Sequence, residues 1–225
     1  MPTLRLAHRG DWAEAPENSL AAMQSALRIP GCDGLEFDIR SSADGVPVLL
    51  HDATLRRVQR VPAACVTLTA AELAGHHIPA LGEVLQAVGC DPFLDVELKE
   101  PVQRAIDVLE LERGRIDDDG APVLRNAALS SFDPEILRWL GDQRPTWPRW
   151  LNAYDLSPRT IELAVELGCA AIAAEWHAVD ADRVASAADA GLGIASWTVR
   201  DPAVYARFVE LGLLAVCVEA EALTG

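Results

Sequence analysis

Eight short apolar runs alternate with longer amphipathic stretches along this chain, and that alternation restricts the fold more than any other feature. The runs predict strands over residues 4–8, 34–39, 92–98, 124–130, 150–154, 170–175, 193–199 and 214–219. Helical periodicity falls between them, over 17–29, 81–88, 102–112, 134–140, 158–167, 181–190 and 202–211. Three of these helices open on a capping residue followed by proline: Asp133-Pro134, Ser157-Pro158 and Asp201-Pro202. Gly168, Gly191 and Gly212 stand where helices should stop. Eight strands in strict alternation with helices predict an α/β chain folded as a small (β/α)8 TIM barrel. At 225 residues it falls a little short of the ~250 typical of that fold, so residues 1–225 are expected to form a single domain with few insertions. A doubly wound open sheet is the competing arrangement, but no glycine-rich turn follows the first strand. One element is extra. Residues 46–50 follow the turn signal Ala43-Asp44-Gly45 and should fold back on the second strand. A loop over 61–78 follows, with a short helix around 70–74.

Charge narrows the function. There are 34 acidic and 19 basic residues, a net charge of -15, which disfavours nucleic acid or an anionic membrane surface as a partner. The five cysteines are odd in number and contain no C-x-x-C pair. They predict neither a disulfide framework nor a zinc site, and a reducing compartment is the default. The N-terminus lacks a secretory apolar core and no stretch is long enough to span a bilayer, so the expected location is the cytoplasm. Of the 19 basic residues, one is lysine. Lys99 persists where arginine serves everywhere else, and a lysine is a compact point charge with a tunable pKa.

The chemistry in such a barrel lies at the C-terminal ends of the strands. The polar residues collect there: His8-Arg9-Gly10 closes the first strand and His51-Asp52 ends the extra one. Glu36 and Asp38 stand two apart in the second strand, as do Asp95 and Glu97 in the third, with Lys99 just beyond. Each pair therefore shares a face. Carboxylates inside apolar strands are costly unless paired or coordinated. Either they pair with arginines at the barrel mouth, or they hold a hard divalent cation such as Mg²⁺ or Ca²⁺ through oxygen alone.

The ordered motifs His8-Arg9-Gly10, Ala15-Pro16-Glu17-Asn18-Ser19, Glu36-x-Asp38, Asp44-Gly45, His51-Asp52, Pro79-Ala80-Leu81-x-Glu83-Val84-Leu85, Glu97-x-Lys99, Ser131-Phe132 and Trp197-Thr198-Val199 resemble those of the glycerophosphodiester phosphodiesterases. The resemblance implies a TIM barrel that cleaves glycerophosphodiesters to an alcohol and glycerol 3-phosphate with one divalent cation, Mg²⁺, Ca²⁺ or Mn²⁺. Matched motif by motif, it makes Glu36, Asp38 and Glu97 metal ligands and His8 and His51 the acid–base pair. Arg9 and Lys99 would hold the phosphate, and Trp197 would contact the glycerol moiety or simply pack the barrel. Glu17 and Asn18 would brace the loop and helix start, and Asp52 and Arg57 would orient groups near His51. The eighth strand departs from the family pattern: Leu214, Val218 and Glu219 replace its usual Asp, Thr and Asp, and Val58 and Gln59 replace two threonines after Arg57. The segment between His51 and Pro79 is also shorter than the family's. Two further readings are a Schiff-base lyase or aldolase acting through Lys99 and a non-catalytic barrel that binds phosphodiesters.

Overall fold

The structure, a computed structural model, describes residues 2–225. In chain order the elements are β1 (Leu4–His8), α1 (Leu20–Ala26), β2 (Gly34–Ser41), β3 (Pro47–Leu49), α2 (Ala70–Ala74), α3 (Leu81–Val88), β4 (Phe93–Leu98), α4 (Gln103–Arg113), β5 (Gly114–Ile116), β6 (Pro122–Leu124) and β7 (Ala127–Ser131). There follow α5 (Pro134–Gln143), β8 (Arg149–Ala153), α6 (Pro158–Glu166), β9 (Ala171–Glu175), α7 (Ala181–Asp189), β10 (Gly193–Val199), α8 (Pro202–Glu210), β11 (Ala215–Val218) and α9 (Glu221–Thr224). Among the described residues eight parallel strands, in the order β1-β2-β4-β7-β8-β9-β10-β11, close on themselves because β1 pairs with both β2 and β11. The fold is thus the predicted (β/α)8 barrel, and the open sheet is excluded by that closure. β3 lies antiparallel on β2, with Ile39 opposite Leu49, as the Ala43-Asp44-Gly45 turn predicts.

Side-chain alternation divides each strand between two environments. In β2, Leu35, Phe37 and Ile39 point outward to the helices; in β4, Leu94, Val96 and Leu98 do the same, all fully buried. The inward positions fill the barrel differently along its axis. Its lower part is packed by Leu6, Ala128, Trp150, Ala171, Ala173, Ala195 and Ala215, with Phe93 stacked on Trp150 at 5.5 Å. The many alanines leave room for one large indole. Its upper part is acidic. A third cluster, Val48, Leu50, Leu55, Cys65, Leu73 and Ile78, anchors the inserted loop after β3.

The caps form as expected: Asp133, Ser157 and Asp201 each accept a first-turn N–H, and a proline follows each of them inside the helix. Three departures have physical causes. The helix expected over 17–29 begins at Leu20, because Asn18 adopts φ +57° and Ser19 takes the cap. The strand expected over 124–130 divides into β6 and β7 around Asn126 at φ +47°, and β5 and β6 form a separate hairpin. α9 is a short additional helix whose Ala222 and Leu223 are buried. No helix among the described residues is long and apolar enough to cross a membrane.

Gly10 shows how tightly the loop after β1 is packed. It sits at φ +82°, and a Cβ there would lie 2.6 Å from the main-chain carbon of Ala22. Gly120 has the same φ of +82° but open space around it. Gly10→Ala is therefore expected to lose about 3 kcal/mol in urea unfolding, backbone strain plus a main-chain clash, while Gly120→Ala loses about 1 kcal/mol. Equal losses would mean that the α1 contact carries no weight.

Candidate active site

Strand register assembles the polar residues. His8 pairs with Glu36 across β1–β2, Glu36 with Asp95 and Asp38 with Glu97 across β2–β4, and Glu97 with Ser130 across β4–β7. All of these acids are buried, Asp38 completely. Oxygens of Glu36, Asp38 and Glu97 lie within 4.8 Å of one another. The surrounding cavity, about 160 Å³, is lined on its polar side by His8, Arg9, His51 and Lys99 and on its apolar side by Phe132, Tyr154 and Trp197. Seven of the eight residues singled out from the sequence line it, and the eighth, Asp38, lies beneath, where Lys99 Nζ is 2.9 Å away.

Pairing with cations accounts for part of the acid cluster. Arg9 Nε lies 3.1 Å from Asp38, Asn18 Nδ2 donates to the same carboxylate at 2.8 Å, and Lys99 bridges Asp38 to Glu97. Burial raises Asp38, but Arg9 and Lys99 outweigh it and hold the carboxyl well below its usual range. Glu36 is left out. Its Oε2 is buried with no hydrogen-bond partner among the described residues, 3.7 Å from His8 Nε2. Burial, then repulsion from Asp38, pushes Glu36 well above the usual carboxylate range. The same causes push Glu97 up to about 7, and burial with Glu97 nearby does the same to Asp95. An orphaned buried carboxylate oxygen beside two more carboxylates, with oxygen the sole donor type, fits a hard divalent cation.

Both histidines are tied at Nδ1. His51 Nδ1 meets Asp52 Oδ1 at 2.7 Å, and Arg57 donates to Asp52 at 2.7 Å and to both oxygens of Glu17. Glu17 also accepts from Arg9 at 3.0 Å, so one carboxylate joins the loops that carry the two histidines. Glu17 thus ties the loops after β1 and β3, and Arg57 holds the carboxylate that meets His51. Burial lowers His51 below the usual imidazole range, and Asp38 and Asp52 only partly offset it. His8 Nδ1 makes a short contact with Glu219. Trp197 donates its indole N–H to Ala173 O at 2.7 Å and meets Phe132 and Tyr154 edge-on at 5.3 and 5.5 Å. It therefore both packs the barrel and faces the cavity.

Sequence reasoning treated Glu219 as an irregular strand ending and passed over Arg200 and Tyr154. The signal for Glu219 was available: it is an acid continuing the inward parity of an apolar strand, the argument that singled out Glu36. Arg200 and Tyr154 carried none.

The glycerophosphoryl diester phosphodiesterase family matches residues 8–220, and the chain belongs to that family. A glycerophosphodiester phosphodiesterase of Caldanaerobacter subterraneus is 34% identical over 116 residues, 45% of this chain and 47% of that protein. Glycerophosphodiester phosphodiesterase 1 of Bos taurus is 30% identical over 148 residues, 59% of this chain and 43% of that protein. The matched segments thus span about half the length of these curated relatives. Among solved structures, an Oleispira antarctica phosphodiesterase in complex with its product sn-glycerol-3-phosphate superposes with a TM-score of 0.82 at 24% identity, covering 96% of this chain and 93% of that one. The glycerophosphodiester phosphodiesterase of Thermotoga maritima gives 0.77 at 25% identity, covering 97% and 95%. At such identities the likeness to the Oleispira enzyme shows the fold.

The raised carboxyls have a sign that can be measured. Unfolded Asp and Glu titrate near pH ~4, whereas burial pushes Asp95 and Glu97 up to about 7. Between those values the folded state holds protons that the unfolded state has lost, so stability present below pH ~4 falls as pH rises toward 7. Asp38, held low, is ionised in both states above about pH 5 and contributes no slope there. Chemical denaturation of the metal-free protein is expected to show this decline, and saturating Mg²⁺ to remove it. Divalent affinity should rise by about tenfold per pH unit for each proton displaced below pH 7. A flat metal-free profile from pH 4 to 7 would contradict the assignment.

Proposed function

We propose that this chain hydrolyses glycerophosphodiesters to an alcohol and glycerol 3-phosphate. The observation that carries the reading is the convergence of two Nδ1-anchored histidines, Arg9, Lys99 and the Glu36/Asp38/Glu97 triad on one cavity. Family membership and the names of the relatives support it. Glu36, Asp38 and Glu97 would hold one divalent cation, Mg²⁺ or Ca²⁺ in view of the all-oxygen donor set. When bound, the cation supplies Lewis-acid neutralisation of phosphate charge. Arg9 and Lys99 hold the phosphate oxygens and offset charge that grows in the transition state. One histidine takes the proton of the attacking hydroxyl at Nε2, and the other delivers a proton to the leaving alkoxide oxygen. Phe132, Tyr154 and Trp197 form an apolar wall against which carbon-bound hydrogens of the glycerol moiety pack.

The lyase reading loses its support. A Schiff-base lysine needs a neutral amine, and although burial lowers Lys99, Asp38 and Glu97 outweigh it and hold the ammonium above its usual value. We also propose that the barrel acts as one domain over residues 1–225 in the cytoplasm. Five unpaired cysteines suit a reducing compartment. The substrate is a small molecule, since a net charge of -15 disfavours nucleic acid.

His8→Ala and His51→Ala are each expected to lower kcat for a glycerophosphodiester by ~10²–10⁴-fold, with metal affinity little changed. Near wild-type kcat in either variant would remove that histidine from the acid–base pair. Substrate binding is also expected to need the cation. When all four buried carboxylates are ionised they outnumber Arg9 and Lys99 by two, which repels a phosphodiester anion; a divalent cation restores balance. Calorimetry with a non-hydrolysable phosphodiester, with Mg²⁺ and with EDTA, reads this directly. Equal affinity in both would mean that protein cations already neutralise the site.

A further inference from the structure

Ala215 and Cys217 are the inward positions of β11, and the same two-residue parity carries Glu219, one residue past the strand, to the barrel interior. It is 5% exposed, and both of its carboxylate oxygens are used. Oε1 meets His8 Nδ1 and Oε2 accepts from Arg200 Nε at 2.7 Å. Main-chain bonds fix the carboxylate's base: Glu219 N donates to Val199 O at 2.9 Å and Ala222 N donates to Arg200 O at 3.1 Å. Ala220, next in the chain, is turned to φ +50°, a conformation that residues with a Cβ rarely adopt. The loops after β10 and β11 are thus laced together beneath Glu219.

An ionised carboxylate can only accept. Burial raises the Glu219 carboxyl, but the hydrogen bonds from His8 and Arg200 outweigh it and hold it below the usual range. The proton of the His8–Glu219 contact therefore belongs to Nδ1. Neutral His8 then offers its lone pair at Nε2, the nitrogen 3.7 Å from Glu36. The opposite tautomer would carry a hydrogen at Nε2 and could not accept a proton there.

We infer that Glu219 is a positioning residue for His8: with Arg200 holding its far oxygen, it selects the Nδ1–H tautomer and aims Nε2 into the cavity. The inference rests on the acid–base role proposed above for His8. Arg200–Glu219–His8 repeats the Arg57–Asp52–His51 arrangement with residues from other loops. At His51 the carboxylate is the next residue in the chain, whereas at His8 it is 211 positions away.

Glu219→Gln tests this, because Arg200 must still donate and so takes the amide oxygen. The amide NH₂ is then left facing His8 Nδ1, which forces the Nε2–H tautomer. In ¹⁵N NMR of the imidazole rings, neutral His8 is expected as Nδ1–H in the wild type and as Nε2–H in E219Q. kcat should fall by about 10–100-fold with KM within about twofold. In E219Q/R200A the amide is free to turn its oxygen to His8, and both the Nδ1–H signal and part of kcat should return. An unchanged tautomer or an unchanged kcat in E219Q overturns the inference. So does a neutral wild-type His8 found as Nε2–H, a measurement that needs no variant to fold. A wild type inactive on every glycerophosphodiester would sink the proposed activity alone, since the NMR arm still decides whether Glu219 sets the tautomer.

Discussion

Four carboxylates buried side by side at the mouth of a closed barrel are the constraint around which the rest of this molecule is arranged. β2 and β4 each place two acids on the inward face, and their register sets Glu36 beside Asp95 and Asp38 beside Glu97. Burial at the barrel mouth limits how far water can screen such a cluster. The protein answers with Arg9 and Lys99, both directed at Asp38. Two cations cannot neutralise four acids, and the surplus appears as Asp95 and Glu97 carboxyls pushed up to about 7. The barrel floor beneath them, Trp150 and small alanines, adds no charged partner among the described residues. The same imbalance suits the Glu36, Asp38 and Glu97 oxygens to a hard cation.

The histidines are governed by a second principle, that a general base is useful only when the correct nitrogen faces the substrate. Each has Nδ1 against a carboxylate, and each carboxylate is gripped by an arginine: Asp52 by Arg57 and Glu219 by Arg200. Glu17 then ties Arg57 to Arg9. The loop after β1 is therefore tied by one set of charge-assisted hydrogen bonds to the loop after β3 and by another to the ends of β10 and β11. A change in any of these loops would be felt at an imidazole ring rather than absorbed locally. The aromatic wall is built differently: Trp197 on β10 meets Phe132 and Tyr154 edge-on, and those two rings, from the loops after β7 and β8, tilt against each other.

The barrel and most of the site were legible in the sequence because both depend on periodicities that survive without coordinates. Alternation of period two separates Phe37 from Glu36 and Asp38 in the bare sequence, and Asp-Pro and Ser-Pro pairs mark helix starts by local steric and hydrogen-bonding rules. Eight strands alternating with helices have few ways to bury their apolar faces, so the closed barrel followed. The acids, His8, His51 and Lys99 stood out because a charge in an apolar strand, or at its end, demands a reason. What tertiary structure alone decided were the partnerships made across the closed ring. Asn18 reads as a helix residue until Asp38 claims its amide. Glu36 and Asp38 look equivalent, yet Arg9 and Lys99 reach one and leave the other's oxygen bare. Glu219 acquires its role only when β11 is brought beside β1, a contact between the two ends of the chain that no local pattern encodes.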